Sequence, residues 1–267
     1  MACAPKRRAS TMSDRRPLFV GLAVGALAIA VTPGIAHAVA PPAASAADGD
    51  LLGKPIVLVV ALALVSLLPF VFMSVTAFVK ISTVLQIVKS AIGAQNVPSN
   101  TVIMALAASL TLLAMAPTGD KIWARASPLF EGKDIPDTVT LVKGTIEAVR
   151  EPMREFLHDN SSPTERARFL QVAKESRPEA DRDKVSETDI SILVPAFVVT
   201  ELTEAFAIGF LIYLPFLIID LVVANILLAL GMQMLNPTQV SLPFKLLLFV
   251  AIDGWGLLAR ALVAGYR

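Results

Sequence analysis

Residues 190 to 220 read ISILVPAFVVTELTEAFAIGFLIYLPFLIID, an apolar stretch that is interrupted by Glu201, Glu204 and Asp220. Its length would allow a helix to cross a bilayer, since about 20 apolar residues span the hydrocarbon core. A charged side chain at that depth is costly, so it is normally paired or lines a polar path. The stretch therefore predicts a membrane protein whose functional half lies in this part of the chain.

The spacing of these charges predicts helices that are shorter than ordinary membrane spans. Only 15 residues separate Glu204 from Asp220, and such a helix rises about 22 Å, less than the roughly 30 Å of hydrocarbon. We therefore expect kinked helical hairpins that pack against other subunits, with bends at proline. Candidate bends are Pro195, Pro215, Pro237 and Pro243, and the further ionisable residues of this region are Lys245, Asp253 and Arg260.

Composition and charge divide the chain into apolar and polar parts. Hydrophobic residues make up 55% of the 267 residues, and the net charge is only +1. Residues 118–190 hold 12 of the 23 basic and 15 of the 22 acidic side chains. This pattern predicts an all-α membrane protein with a small soluble insert, 118–189, between two hydrophobic helical regions, 56–117 and 190–267. No basic stripe indicates nucleic-acid binding.

The first 38 residues are typical of a signal peptide. Five basic residues precede the apolar run 18–31, and Ala36-His37-Ala38 provides small residues for cleavage after Ala38. Residues 39–55, rich in proline and alanine, then form a leader. The alternative is an uncleaved anchor, because the apolar run is short for a span but not too short to cross.

Two spans are expected in the first hydrophobic region. Residues 56–79 are uncharged over 24 positions, with Pro69 as a kink, and residues 101–117 follow a turn in which Ser99 or Asn100 can cap the new helix. Between them, polar residues recur at helical spacing opposite apolar ones, which predicts an amphipathic helix. Its charges, Lys80 and Lys89, place this segment in the cytoplasm and the insert in the periplasm, in agreement with a cleaved signal.

The sequence of the insert predicts a small helical domain. Ser162-Pro163-Thr164-Glu165 has the arrangement of a capping box with proline in the first turn, so a helix is expected from Pro163 to about Ser176. Asp137 can cap a second helix, and Pro152 can begin a short third one.

The sequence gives little reason to expect an enzyme. Cys3 is the only cysteine and would leave with the signal, and the only histidines are His37 and His158. Neither an H-E-x-x-H zinc motif, a G-x-S-x-G elbow nor a phosphate-binding glycine loop is present. We therefore expect no catalytic residues, no cofactor and no metal.

Several motifs in order resemble the FliP/SctR family, the P/R-type core subunits of the type III secretion export apparatus. The resemblance extends from about Ile56 to Val263. The motifs are Gly93-Ala94-Gln95-Asn96-Val97-Pro98-Ser99-Asn100, Met115-Ala116-Pro117, Val194-Pro195-Ala196-Phe197, Glu201-Leu202, Ala205-Phe206-Ala207-Ile208-Gly209-Phe210, Leu214-Pro215-Phe216-Leu217-Ile218-Ile219-Asp220, Gly231-Met232, Ser241-Leu242-Pro243-Phe244-Lys245-Leu246-Leu247-Leu248-Phe249 and Asp253-Gly254-Trp255.

The resemblance implies a pore-forming subunit of a protein export gate in the inner membrane. It implies a homo-oligomer, a pentamer, that joins small two-helix subunits and one larger subunit in a cone partly lifted above the bilayer. Unfolded secreted polypeptides would pass through it.

The resemblance also assigns two sites. A methionine loop at the channel constriction corresponds to Met232, Gln233 and Met234, where Gln233 departs from an unbroken methionine run. The alternative is an ordinary helix cap at Gly231 with packed methionines. Glu201 and Lys245 correspond to a salt bridge between neighbouring subunits, and the alternative is that each is solvated separately.

Two questions stay open at the level of sequence. A secondary transporter or ion channel that binds a cation at its intramembrane carboxylates is the alternative function, although no inverted repeat is visible. Residues 165–170 and 223–230 resemble injectisome members of the family more than flagellar ones. A long N-terminus with a signal peptide is instead typical of flagellar members.

Overall fold

A computed structural model describes residues 55–94, 98–130 and 138–266, and these residues form helices and connections without a strand. The predicted signal peptide, nearly all of the leader and Asp137 lie outside them. The compact unit that contains almost all of these residues runs from Leu58 to Arg267. Its helices are α1 (Pro55–Val75), α2 (Phe78–Ile92), α3 (Asn100–Ala114), α4 (Ala116–Phe130), α5 (Thr138–Asp159), α6 (Pro163–Glu175), a 3₁₀ helix (Glu179–Lys184), α7 (Ile190–Ala229), α8 (Pro237–Ala251) and α9 (Gly254–Ala264).

Six of the helices form three bent pairs. The bend is 73° between α1 and α2, 56° between α3 and α4, and 58° between α8 and α9. The first bend lies at Thr76 and Ala77, whereas α1 continues through Pro69. The second lies at Met115, and α4 then continues well into the segment that was expected to be a soluble insert. The expected second span, 101–117, is therefore shorter than the bent helix pair.

Helix α7 differs most from the expectation. It continues without a break for 40 residues, through both Pro195 and Pro215. A helix of that length rises about 60 Å, roughly twice the hydrocarbon thickness. The expectation of helices shorter than an ordinary span was wrong for this stretch. By length and composition, α7 alone could cross a membrane, and up to four spans are possible among the described residues if each bent pair counts as one.

The main core lies where α2 crosses α7. The amphipathic pattern of α2 is confirmed, because Ile81, Val84, Leu85 and Val88 are buried. The two helices approach closely at Gly209, where an added Cβ would lie 2.5 Å from Ile87 Cδ1. A residue without a side chain is therefore required at this crossing. Residues of α3, α8 and α9 complete the core, including Ile103, Ala107, Leu110, Phe249, Leu258 and Leu262.

The helices of the predicted insert pack on the first turns of α7. Phe156 and Leu157 of α5 form a second buried cluster with Leu193 and Phe197. Helix α5 is continuous through Pro152, so the expected short third helix does not begin there. Its apolar residues stay on one face because the helix is not interrupted.

Two expected helix starts are present with different capping. Ser99 caps α3 by accepting a hydrogen bond from Val102 N at 3.4 Å. Helix α6 begins at Pro163 as expected, but the Ser162 side chain makes no capping bond. Instead Ser162 N donates to Thr200 Oγ1 of α7 at 3.0 Å. The start of α6 is therefore fixed to α7 rather than by a capping box.

Candidate functional site

The connection between α7 and α8 is built from two well-formed helix ends. Gly231 has a φ of 73°, in the left-handed region that favours glycine. Gly231 N donates to Leu228 O at 3.0 Å and Met232 N donates to Leu227 O at 2.9 Å. These two bonds are the Schellman pattern that closes a helix. The expected helix cap at Gly231 is therefore present.

The two methionines of this loop are exposed to different degrees. Met234 is 99% exposed and Met232 is 45% exposed, and Gln233 between them is exposed as well. On the far side, Asn236 Oδ1 accepts from Thr238 N at 3.0 Å and begins α8. The cap at Gly231 is therefore present without packing of Met234 in the same chain. Both thioethers are presented on a short turn between two fixed helix ends.

A second group of functional candidates surrounds Glu201 in the interior. Lys80 Nζ of α2 lies 2.9 Å from Glu201 Oε1 and 2.7 Å from Glu204 Oε2. Glu201 is 0% exposed and Lys80 is 5% exposed, whereas about half of the Glu204 side chain faces solvent. A buried charge needs a close partner, and Lys80 provides one for Glu201.

Tyr266, which follows α9, completes the group around Glu201. Its hydroxyl donates to Glu201 Oε2, and Lys80 Nζ lies 4.5 Å from the centre of its ring. Burial, followed by the negative charge of Glu201, raises the pKa of the Tyr266 hydroxyl. The hydroxyl is therefore protonated and available as a donor to the carboxylate.

A third group joins α7 and α8 near the end of α2. Lys245 Nζ lies 2.6 Å from Asp220 Oδ2, and Ser241 Oγ donates to Asp220 Oδ1 at 2.5 Å. Lys245 also donates to Ala91 O at 3.1 Å, in the last turn of α2. A cation there is favourable, because the carbonyl end of a helix carries partial negative charge.

Glu201 and Lys245 thus have different partners within one chain. Glu201 contacts Lys80, and Lys245, 2% exposed, contacts Asp220. The salt bridge between neighbouring subunits stays a prediction. Because Glu201 is 0% exposed and Lys245 is 2% exposed in one chain, a contact between subunits requires both side chains to become accessible.

The remaining ionisable candidates, Asp253 and Arg260, lie at the bend between α8 and α9 and beyond it. Asp253 has a φ of 52°, the left-handed region, and Arg260 Nη2 lies 3.6 Å from its Oδ2. Both side chains are mostly exposed, so the pair is weak in a single chain. The bend separates it from the buried groups around Glu201 and Asp220.

Sequence reasoning missed the roles of Lys80 and Tyr266. Lys80 was placed on the polar face of the amphipathic helix and used to mark the cytoplasmic side, but it is buried against Glu201. Its position directly after a long uncharged run was the available signal. Tyr266 offered no comparable signal, because its contacts join residues that are far apart in sequence.

Among residues 55–94, 98–130 and 138–266, no group of three or more histidine, cysteine or carboxylate side chains is arranged to hold a metal ion. The carboxylates of α7 have lysine or hydroxyl partners instead.

Comparison with known proteins gives the family. The model of the FliP family matches residues 61–262, about three quarters of the chain. This chain belongs to the FliP family. The matched residues include the methionine loop, the group of Lys80, Glu201 and Glu204, and the pair of Lys245 and Asp220. Tyr266 lies outside the match.

Relatives with different names align over most of their own lengths. The hypersensitivity response secretion protein HrcR of Ralstonia nicotianae is 42% identical over 210 residues, 79% of this chain and 96% of the relative. The Yop proteins translocation protein R of Yersinia pestis is 41% identical over 78% of this chain and 95% of the relative. The flagellar biosynthetic protein FliP of Caulobacter vibrioides is 36% identical over 95% of this chain and 92% of the relative.

Proposed function

We propose that this chain is a pore-forming core subunit of a type III protein export gate in the bacterial inner membrane. It would assemble as a pentamer, join companion small and large export subunits, and conduct unfolded secreted polypeptides. Family membership and relatives named for secretion, translocation and flagellar biosynthesis support an export role. It would act without catalysis or a cofactor.

The observation that carries the pore assignment is the exposed methionine loop. Met234 is 99% exposed and lies among other exposed apolar residues, Leu230, Met232 and Leu235, and a contiguous exposed apolar patch of this kind marks a site of contact with other molecules. Methionine is unbranched and polarizable, so a ring of such side chains can close against ions and still yield to polypeptides of any sequence. Met232, Gln233 and Met234 from several copies would form the constriction.

A photo-crosslinking amino acid at Met234 tests this assignment. An export substrate that is stalled by a stably folded domain should crosslink to position 234. The matched control is the same amino acid at Met104, a partly exposed methionine on α3. Equal adducts at both positions, or none at position 234 with the substrate stalled, would contradict the constriction.

The charge groups argue against the transporter or ion channel. A cation-coupled site needs carboxylates that are free to bind the ion, but Glu201 and Asp220 are each paired with a buried lysine. Purification of the native complex separates the two functions. An export subunit should copurify with companion export subunits in fixed ratio, and a transporter should not.

A further inference from the structure

The break between α1 and α2 is held by local hydrogen bonds. Thr76 Oγ1 donates to Phe72 O at 2.8 Å and accepts from Phe78 N at 3.4 Å. Thr76 and Ala77 are buried although they lie between helices. These contacts satisfy polar groups at the break, but they reach only four residues along the chain. They do not fix the direction of α1 relative to the rest of the molecule.

Long-range apolar packing at this break comes from Val75 against the cluster of α5 and α7 and from Ala77 in the main core, and Tyr266 adds the long-range polar contacts. Its hydroxyl lies 3.3 Å from Ala77 O and donates to Glu201 Oε2 on α7. Since a hydroxyl has one proton and bonds to charged acceptors are stronger, the carboxylate takes it. The ring also stacks on Phe156 of α5, with 6.1 Å between ring centres. One side chain thus joins the break to α5 and α7.

The charges around Tyr266 make these contacts interdependent. Lys80 lies in the first turn of α2, where the helix dipole disfavours a cation. The cost of burying the Lys80 ammonium is offset by the carboxylates of Glu201 and Glu204 and by the face of the Tyr266 ring. If the hydroxyl is lost, Glu201 keeps Lys80 but loses the donor to its second oxygen. A buried carboxylate oxygen without a donor is costly, so the group would rearrange.

We propose that Tyr266 is a positioning residue that fixes the 73° bend between α1 and α2. Together with Glu201 and Lys80 it forms what we term the Tyr266 clamp. While the clamp is closed, Ala77 stays buried and α1 keeps one direction. When it opens, Thr76 and Ala77 become accessible and the angle between α1 and α2 is free to change. This role concerns the conformation of the chain and does not depend on the proposed export function.

Cysteine accessibility at the break tests the clamp in the full-length protein in membranes. Cys3, the only native cysteine, is replaced by serine, and Ala77→Cys is introduced as the reporter. Tyr266→Phe then removes the hydroxyl and keeps the ring. The reaction of position 77 with N-ethylmaleimide should become faster by about tenfold or more, the factor expected for loss of one hydrogen bond to a charged group. An unchanged rate would overturn the proposal.

A second reporter separates local opening from general loss of structure. Ala107→Cys, fully buried on α3 in the main core, should stay unreactive when Tyr266 is changed to phenylalanine. If both reporters become reactive together, Tyr266 stabilises the fold as a whole and the positioning role is wrong.

A double-mutant cycle adds an independent check. In a Glu201→Gln background, Tyr266→Phe should change the rate at position 77 much less than in the parent, because the hydroxyl acts through the carboxylate. An equal change in both backgrounds would overturn the proposal.

Discussion

At the scale of single residues, charge pairing within one chain accounts for the ionisable side chains on α7. Lys80 faces Glu201 and Glu204, and Lys245 faces Asp220. Lys80 lies in the first turn of α2, and Lys245 donates to Ala91 O in the last turn of the same helix. The two ion-pair groups therefore fix both ends of α2.

Charge exchange distinguishes pairing within a chain from pairing between chains. Glu201→Lys alone should prevent stable assembly, since an uncompensated buried charge costs about 3 to 5 kcal/mol. Adding Lys80→Glu should restore part of the assembled complex, measured by native electrophoresis of the detergent-extracted protein. Adding Lys245→Glu instead should restore less.

The opposite ranking would favour the salt bridge between subunits. Rescue by Lys245→Glu and not by Lys80→Glu would mean that Glu201 changes its partner on assembly. The exposed Asp253→Asn variant is the matched control, because its pair with Arg260 lies in solvent and contributes little.

Sequence predicted these residues as candidates better than it predicted their partners. Depth and charge identify Glu201, Asp220 and Lys245, because an isolated charge in an apolar stretch needs compensation. Which cation meets which carboxylate depends on how α2 crosses α7, and no spacing along the chain gives that geometry. Lys80 was misread for this reason.

At the scale of elements, the crossing of α2 and α7 depends on a small residue. A Cβ at Gly209 would lie 2.5 Å from Ile87 Cδ1 and 2.9 Å from its Cγ2. Both helices continue through the crossing, so neither backbone can move aside easily. The continuity of α7 also explains why proline was a poor guide here. The helix includes both Pro195 and Pro215, so proline alone did not mark its ends.

Gly209→Ala should destabilise the protein by about 1 to 3 kcal/mol, the usual cost of overpacking a core. Thermal aggregation of the detergent-solubilised protein measures the loss. Ile87→Ala in the same chain should recover part of it by removing the atoms in contact. The control is Gly119→Ala on α4, where an added Cβ meets nothing within 4 Å. Equal loss at both glycines would contradict close packing at the crossing.

At the scale of the whole molecule, the sequence predicted the fold class and the family better than it predicted how distant segments pack. The sequence predicted the all-helical class and the family from motifs that occur in order, and both are confirmed. The sequence could not predict how the helices of the insert pack on α7. Phe156 and Leu157 pack on α7, a long-range contact that leaves no periodic signal of its own.

The expected topology, with the insert in the periplasm and α2 on the cytoplasmic side, predicts different labelling at two exposed residues. These are Thr164 on α6 and Ser90 on α2. With Cys3 replaced by serine, Thr164→Cys should react with an impermeant maleimide added to spheroplasts, and Ser90→Cys should not. A permeant maleimide should label both, which controls for accessibility. Labelling of Ser90→Cys alone from outside would reverse the topology.

The central claim is that the methionine loop seals a protein-conducting channel, and ion leakage tests it most directly. Met232→Ala and Met234→Ala together should leave the amount of assembled complex unchanged, because Met234 is 99% exposed and Met232 is 45% exposed within one chain. Met73→Ala and Met104→Ala, at partly exposed methionines outside the loop, form the control pair. The loop variant should raise ion leakage across the inner membrane without substrate, and the control pair should not. A loop variant that assembles normally and leaks no more than the parent would show that these methionines do not form the seal.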